Sequence, residues 1–147
     1  MPSQLEILLV EDSPGDEELT LRAFERHGIK NPVVVARDGQ EALDFFAGQG
    51  IFAGRDPSIL PQVVLLDLKL PRVDGLEVLR SIRANPKTSL IPVIVLTTST
   101  EDEDILQSYK LGANSFVRKP VSFQQFSEAV RQLGVYWLLV NQKPPAQ

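Results

Sequence analysis

The stretch Gln62-Val63-Val64-Leu65-Leu66-Asp67-Leu68-Lys69-Leu70-Pro71 decides the fold. Val63 to Leu66 is an unbroken apolar run, as expected of a central parallel strand covered on both faces. It ends on a carboxylate, Asp67. Working outward, similar short runs stand at Glu6–Val10, Pro32–Ala36, Ile91–Leu96 and Ser115–Arg118. Between them lie apolar residues at helical spacing. Leu19, Leu21, Ala23 and Phe24 mark the first such segment, and Ala42, Leu43, Phe45 and Phe46 the second. Leu76, Val78, Leu79 and Ile82 mark the third, and Ile105, Leu106 and Tyr109 the fourth. This alternation predicts an α/β domain, a doubly wound five-stranded parallel sheet flanked by five helices.

Local signals support the boundaries. Ser13-Pro14 offers a cap residue followed by proline at the first helical position. Asp38 with Glu41 three residues on reads as a capping box. Glu101, Asp102 and Glu103 put acids in a first helical turn, where the helix dipole favours them. Gly28 and Gly112 stand where helix ends need a left-handed residue. Gly48 to Pro61 contains Gly50, Gly54 and Pro57 and reads as a loop of about a dozen residues, long for a compact domain. Residues 144–147 read as a frayed tail.

The composition bounds the function. The chain has 147 residues, a net charge of -4, no cysteine and one histidine, His27. That length predicts one domain over 1–147, with a core from about 5 to 133 and a C-terminal extension from 134 to 147. Mild acidity argues against a nucleic-acid partner, which needs clustered Lys and Arg. The absence of cysteine excludes thiol chemistry and Cys-ligated zinc, and a lone histidine excludes a His-pair metal site. His27 itself reads as an ordinary helix-end residue. No apolar run approaches the roughly 20 residues of a membrane-spanning helix, and the first residues do not resemble a signal peptide. The expected location is the cytoplasm.

In a parallel sheet, ligands bind beyond the carboxyl ends of the strands. Glu11 and Asp12 follow the first run, Asp67 ends the third, Thr97 and Thr98 follow the fourth, and Lys119-Pro120 follow the fifth. Taken singly, each has an ordinary explanation as a cap, turn or solvated residue. Together they gather acids, hydroxyls and a lysine on one edge. Clustered carboxylates repel, so without a cation at least one should have a raised pKa. Oxygen-only ligands in an open, hydrated site suit Mg²⁺. Metal, ammonium and hydroxyl around one carboxylate are what phosphoryl transfer needs, and a carboxylate can itself be the nucleophile.

Ile7-Leu8-Leu9-Val10-Glu11-Asp12, Leu65-Leu66-Asp67-Leu68-Lys69-Leu70-Pro71 with Asp74-Gly75, Val95-Leu96-Thr97-Thr98 and Val117-Arg118-Lys119-Pro120 resemble the four signatures of bacterial two-component response-regulator receiver domains. The resemblance implies a flavodoxin-like fold with strand order 2-1-3-4-5. It implies that Asp67 is the phosphoryl acceptor and that Asp12 binds Mg²⁺ directly. Glu11 would bind the cation through water, and the Lys69 backbone carbonyl would be a further ligand beside Asp67. Lys119 would pair with the acceptor and its phosphoryl group. Thr97 would bond a phosphoryl oxygen, Phe116 would be the aromatic that turns inward, and Lys119-Pro120 would be a cis bond. The partner implied is a sensor histidine kinase.

Glu11-Asp12-Ser13-Pro14-Gly15-Asp16, Ala36-Arg37-Asp38-Gly39-Gln40-Glu41-Ala42-Leu43 and Gly134-Val135-Tyr136-Trp137-Leu138-Leu139 are similar to single-domain regulators associated with bacterial phytochromes. Glu11 departs from the commoner Asp, Leu70 from Met, and Phe116 from Tyr. With no appended output domain expected, the signal would leave by protein contact or by passing the phosphoryl group on.

Phe126, Val130, Leu133, Trp137 and Val140 form one buried stripe, and Tyr136, Leu138 and Leu139 lie off it. These three are the expected interface residues of a homodimer using the fourth helix, fifth strand and fifth helix. Three other readings stay open: a phosphate shuttle or sink, a receiver that signals without phosphate, and an aspartate-nucleophile phosphatase. The last wants a second acid at the position of Lys69. A flavodoxin-like cofactor protein is disfavoured, because Glu11 and Asp12 repel phosphate without a metal and no Gly-rich phosphate loop is present.

Overall fold

The computed structural model describes residues 6–119, 122–140, 142 and 145, and the side chains of all of these except 135, 139 and 140. The expected cis bond at Pro120, the side chain of Leu139 and most of the tail lie outside that description. Among the described residues, β1 (Ile7–Val10), β2 (Val33–Ala36), β3 (Val63–Leu66), β4 (Val93–Thr97) and β5 (Ser115–Arg118) form one sheet of order 2-1-3-4-5. Every neighbouring pair is parallel. Helices α1 (Pro14–Arg26), α2 (Gly39–Ala47), α3 (Gly75–Ala84), α4 (Asp102–Lys110) and α5 (Phe123–Gly134) connect or follow the strands.

The sheet separates two apolar layers. Leu8, Val10, Val64, Leu66, Val93 and Val95 face one way, onto Phe45 of α2 and Val78, Leu79 and Ile82 of α3. Ile7, Leu9, Val63, Leu65, Ile94 and Leu96 face the other way, onto Phe24 of α1 and Phe126 and Val130 of α5. Alternate residues of each central strand thus feed opposite cores, which is why the runs are apolar throughout.

The register sets the edge where the acids collect. Leu66 is level with Val10 on one side and Val95 on the other. Glu11 and Asp67 therefore leave the sheet side by side. Thr97 is level with Arg118, so Lys119 emerges next to it. The caps hold the helices that follow: Ser13 Oγ accepts from Asp16 N (3.2 Å) and Asp38 Oδ1 from Glu41 N (2.8 Å). Glu41 closes back on Arg37 N, one residue before the cap, so the capping box is a variant of the expected one.

Two segments differ from the sequence reading. In α4 the buried residues are polar, Asp104 and Ser108, while Leu106 and Tyr109 are 49% and 51% exposed. Asp104 accepts from Ser99 Oγ (2.5 Å), and Ser108 Oγ donates to the Asp104 carbonyl (2.7 Å). These bonds satisfy the polar groups, so burying them costs little.

The second difference is the C-terminal extension. α5 runs on into a π-helical turn, Val135–Val140. Trp137 and Leu138 pack against the core layer shared by α1 and α5. Gln62 Nε2 reaches the Trp137 and Leu138 carbonyls at 3.5 and 3.4 Å. Leu138, expected to be free for an interface, is instead tied to its own fold. A Cβ on Gly134 would lie 2.3 Å from Ile29 Cδ1, so a larger residue here would require the Ile29 side chain to shift. Tyr136 remains half exposed.

The long loop after α2 includes a 3-10 turn, Gly50–Phe52, and is organised by Arg55. The Arg55 guanidinium lies 3.6 Å from the Phe45 ring centre and pairs with Glu6 at 3.3 Å. It also donates to the carbonyls of Phe45, Asp56 and Ile59.

Candidate functional site

Asp67 is buried immediately after β3, and its two oxygens have separate partners. Oδ1 accepts from Thr97 Oγ1 at 2.8 Å and from Lys69 N at 3.2 Å. Oδ2 accepts from Lys119 Nζ at 2.9 Å. A Cβ on Gly75 would come 2.3 Å from the Asp67 carbonyl oxygen, so the Asp74-Gly75 turn can sit directly behind the acceptor only as glycine. The loop from Asp67 to Asp74 is stapled outward as well. Arg72, at a left-handed φ of 65°, makes a two-pronged ion pair with Asp38 at 2.9 and 3.0 Å. Lys69 Nζ pairs with Asp104 at 3.2 Å.

Lys119 is buried and donates to three carboxylates: Glu11, Asp16 (2.9 Å) and Asp67 (2.9 Å). An ammonium has three N–H groups, so each is engaged. Burial works against the charge on Lys119, but the hydrogen bond to Glu11, the Asp67 charge and the bond to Asp16 hold its pKa above the usual lysine value. Glu11 shows the other side of this imbalance. Burial pushes its pKa from 4.5 to about 7 against the pull of Lys119, and the Asp67 charge adds to the rise. Withdrawal from water is the main cause of the rise, and repulsion between the clustered carboxylates adds a smaller part.

Asp12 is exposed beside them. Glu11, Asp12 and Asp67 each offer a carboxylate oxygen within 4.8 Å of the others. Asp12 also lines, with Lys69, Asp74 and Asp104, an open cleft of about 510 Å³. The donors of Glu11, Asp12 and Asp67 are all hard oxygens, the set that suits Mg²⁺ or a similar divalent cation. The added positive charge would favour the ionised form of Glu11 against the burial that raises its pKa.

The structure therefore brings Glu11, Asp12, Asp67, Lys69, Thr97 and Lys119 together. Phe116 is half buried on β5, level with Val95 and packed on the α2–α3 core layer. Tyr136 and Leu138 belong to the opposite end of the sheet, with Gln62. Sequence reasoning missed Asp16 as a partner of Lys119. It is an acid in the first turn of α1, a common and uninformative placement, and 103 residues separate it from the lysine. The Ser99–Asp104–Lys69 chain was missed because Asp104, too, is an acid in the first turn of its helix.

The chain matches the response regulator receiver domain family over residues 7–131. It is 44% identical over 138 residues to the probable methanogenesis regulatory protein FilR2 of Methanothrix harundinacea, covering 94% of this chain and 86% of that one. The phosphorylated cyanobacterial phytochrome response regulator RcpA superposes with a TM-score of 0.89 at 35% identity, over 97% of this chain and 99% of that one. The bacteriophytochrome response regulator AtBRR is 53% identical with a TM-score of 0.75, over 96% of this chain and 100% of that one. Receiver sequences, this sheet order and this gathering of residues coincide, and the chain belongs to the response regulator receiver domain family, close to its phytochrome-associated members.

Proposed function

We propose that the protein accepts a phosphoryl group on Asp67 from a sensor histidine kinase, with Mg²⁺ as the cation, and signals by protein contact. The observation that carries this is the pair of donors on Asp67, Thr97 at 2.8 Å and Lys119 at 2.9 Å, beside three carboxylate oxygens within 4.8 Å of one another. In the transfer, the P–N bond of a phosphohistidine breaks and a bond forms from phosphorus to an Asp67 oxygen. The imidazole leaves with the electron pair of the broken bond. Lys119 and Thr97 meet the negative oxygens of the transferred group, and such fixed donors account for most of the catalysis in this chemistry. Glu11, Asp12, Asp67 and the Lys69 carbonyl would hold the cation, which neutralises phosphoryl charge. On this reading the protein is a phosphoryl acceptor with intrinsic autodephosphorylation rather than an enzyme acting on other substrates.

The likeness to RcpA and AtBRR supports a phytochrome kinase as the phosphoryl donor. We read the whole chain as one domain. No described helix is long and apolar enough to cross a membrane, and the reading includes a cytoplasmic setting without nucleic acid as a partner. It also includes a homodimer through α4, β5 and α5. Exposed Leu106 and Tyr109 on α4 favour that face, with half-exposed Tyr136 as a secondary contact. Thr97 and Phe116 would report phosphorylation to it.

The test is phosphoryl transfer from candidate histidine kinases, a phytochrome kinase among them, in light and darkness. Acid-labile label on the wild type and none on Asp67→Asn is the expected result. Equal labelling of both proteins would remove Asp67 as the acceptor.

A further inference from the structure

Lys119 is held by one carboxylate that neither the acceptor nor the cation cluster uses. Glu11 and Asp67 both belong to the group whose oxygens lie within 4.8 Å of one another, and Asp16 does not. Asp16 Oδ2 nevertheless accepts from Lys119 Nζ at 2.9 Å, the same distance as Asp67. We propose that Asp16 is a positioning residue, which aims the Lys119 ammonium at Asp67 from the α1 side and so supports phosphoryl transfer. The inference rests on the reading of Asp67 as the acceptor.

The three partners of the ammonium are not equivalent. A cation would draw on Glu11, and the phosphoryl group would take one oxygen of Asp67. Asp16 is the partner whose hold on Lys119 competes with neither. It is also anchored. Its N–H donates to the Ser13 cap, and its carbonyl accepts from buried Thr20 Oγ1 at 2.8 Å. α1 in turn packs on α5 through Phe24, Phe126 and Val130.

A lysine stem is flexible, and four carbons give it several rotamers. A cavity of about 100 Å³ opens beside Asp16 and Lys119, lined by Leu19, Thr98, Phe123 and Phe126. It gives an unrestrained lysine room to move off the acceptor. The Asp16 side chain is 34% exposed, which moderates the strength of the pair. Loss of aim is costly all the same, because this chemistry depends on position.

The experiment uses the full chain and acetyl phosphate as donor at saturating Mg²⁺, so that changed cation affinity does not enter the rate. Asp16→Asn removes the charge and keeps the shape. Asp16→Ser shortens the side chain out of reach. Glu17→Gln removes one charge from the same helical turn at a residue that pairs with Arg37, and it serves as the control. Both Asp16 variants should label about 3- to 10-fold more slowly than wild type, and Glu17→Gln at the wild-type rate. The Lys119 side-chain ammonium, followed by nitrogen-15 NMR without divalent cation, should exchange faster or shift in the Asp16 variants only. A wild-type rate in both Asp16 variants, an unchanged ammonium signal in both, or equal slowing by Glu17→Gln overturns the proposal. Failure of the acceptor reading looks different: the wild type takes no label, or Asp67→Asn keeps it.

Discussion

At the carboxyl end of the sheet Lys119 faces Glu11, Asp16 and Asp67, with Asp12 close by. At the amino end Arg55 faces one carboxylate, Glu6, together with three main-chain carbonyls and the Phe45 ring. Both cations are largely withdrawn from water, and both tie distant parts of the chain. The difference is in the balance of charge. Around Arg55 the acceptors are mostly neutral, and the guanidinium organises the loop after α2. Around Lys119 the acids outnumber the cation, and burial, with a smaller push from the Asp67 charge, raises the Glu11 pKa to about 7. Burial of a charge therefore does not by itself mark a site. A buried surplus of one sign does, because it calls for a cation and lends itself to group transfer.

The largest expected effect is at the surplus end. Asp67→Asn should lose acid-labile labelling completely while its melting temperature stays near that of the wild type, since the amide is nearly isosteric. Calorimetry beside a labelling assay checks both halves.

Removing each cation sharpens the contrast. Lys119→Met should slow labelling by about 100-fold or more, the scale for losing one fixed donor to developing charge. Arg55→Met should label at the wild-type rate yet lose roughly 2–3 kcal/mol of stability in urea unfolding, because Glu6 and the loop carbonyls lose their partner. Slow labelling by the Arg55 variant would break the distinction between the two ends.

The next effect is in pH. Glu11 is raised from 4.5 to about 7, so the folded state holds this proton more tightly than the unfolded chain. Its contribution to stability is then full below pH 4.5, falls as pH rises and is lost above about 7. The drop is on the order of 3 kcal/mol. Lys119, raised above its usual value, contributes stability lost only at more alkaline pH. Without divalent cation, wild-type stability should decline between pH 4.5 and 7 relative to Glu11→Gln. Millimolar Mg²⁺ should flatten that decline by binding the folded state. Parallel profiles for the two proteins would show that the surplus is not centred on Glu11.

The smallest effect belongs to the extension. Tyr136→Glu should change monomer stability by no more than about 0.5 kcal/mol, since the side chain is half in water. Any larger change would come through association, and sedimentation across concentration separates the two.

Much of the fold was legible along the chain. Apolar runs of the length of β1, β3 and β4 have few other uses, and their spacing by helical segments leads to a parallel sheet. The acceptor edge followed from that, because whatever ends a parallel strand is brought to one side. α4 was legible as a helix but not in its facing. Its apolar residues suggest one buried side, and the Ser99–Asp104 and Ser108–Asp104 bonds turn the other side inward.

By itself, then, the sequence determined the strand order's raw material, the edge carrying Glu11, Asp12, Asp67, Thr97 and Lys119, and the caps at Ser13 and Asp38. Each depends on neighbours in the chain or on the rule for strand ends. Only the tertiary structure decided that Asp16 reaches Lys119, that Arg55 closes on Glu6, and that Leu138 packs on its own core. These contacts join residues tens to more than a hundred positions apart. Charge and hydrophobicity name the groups that seek partners, but which partner each one meets is set by how the layers pack.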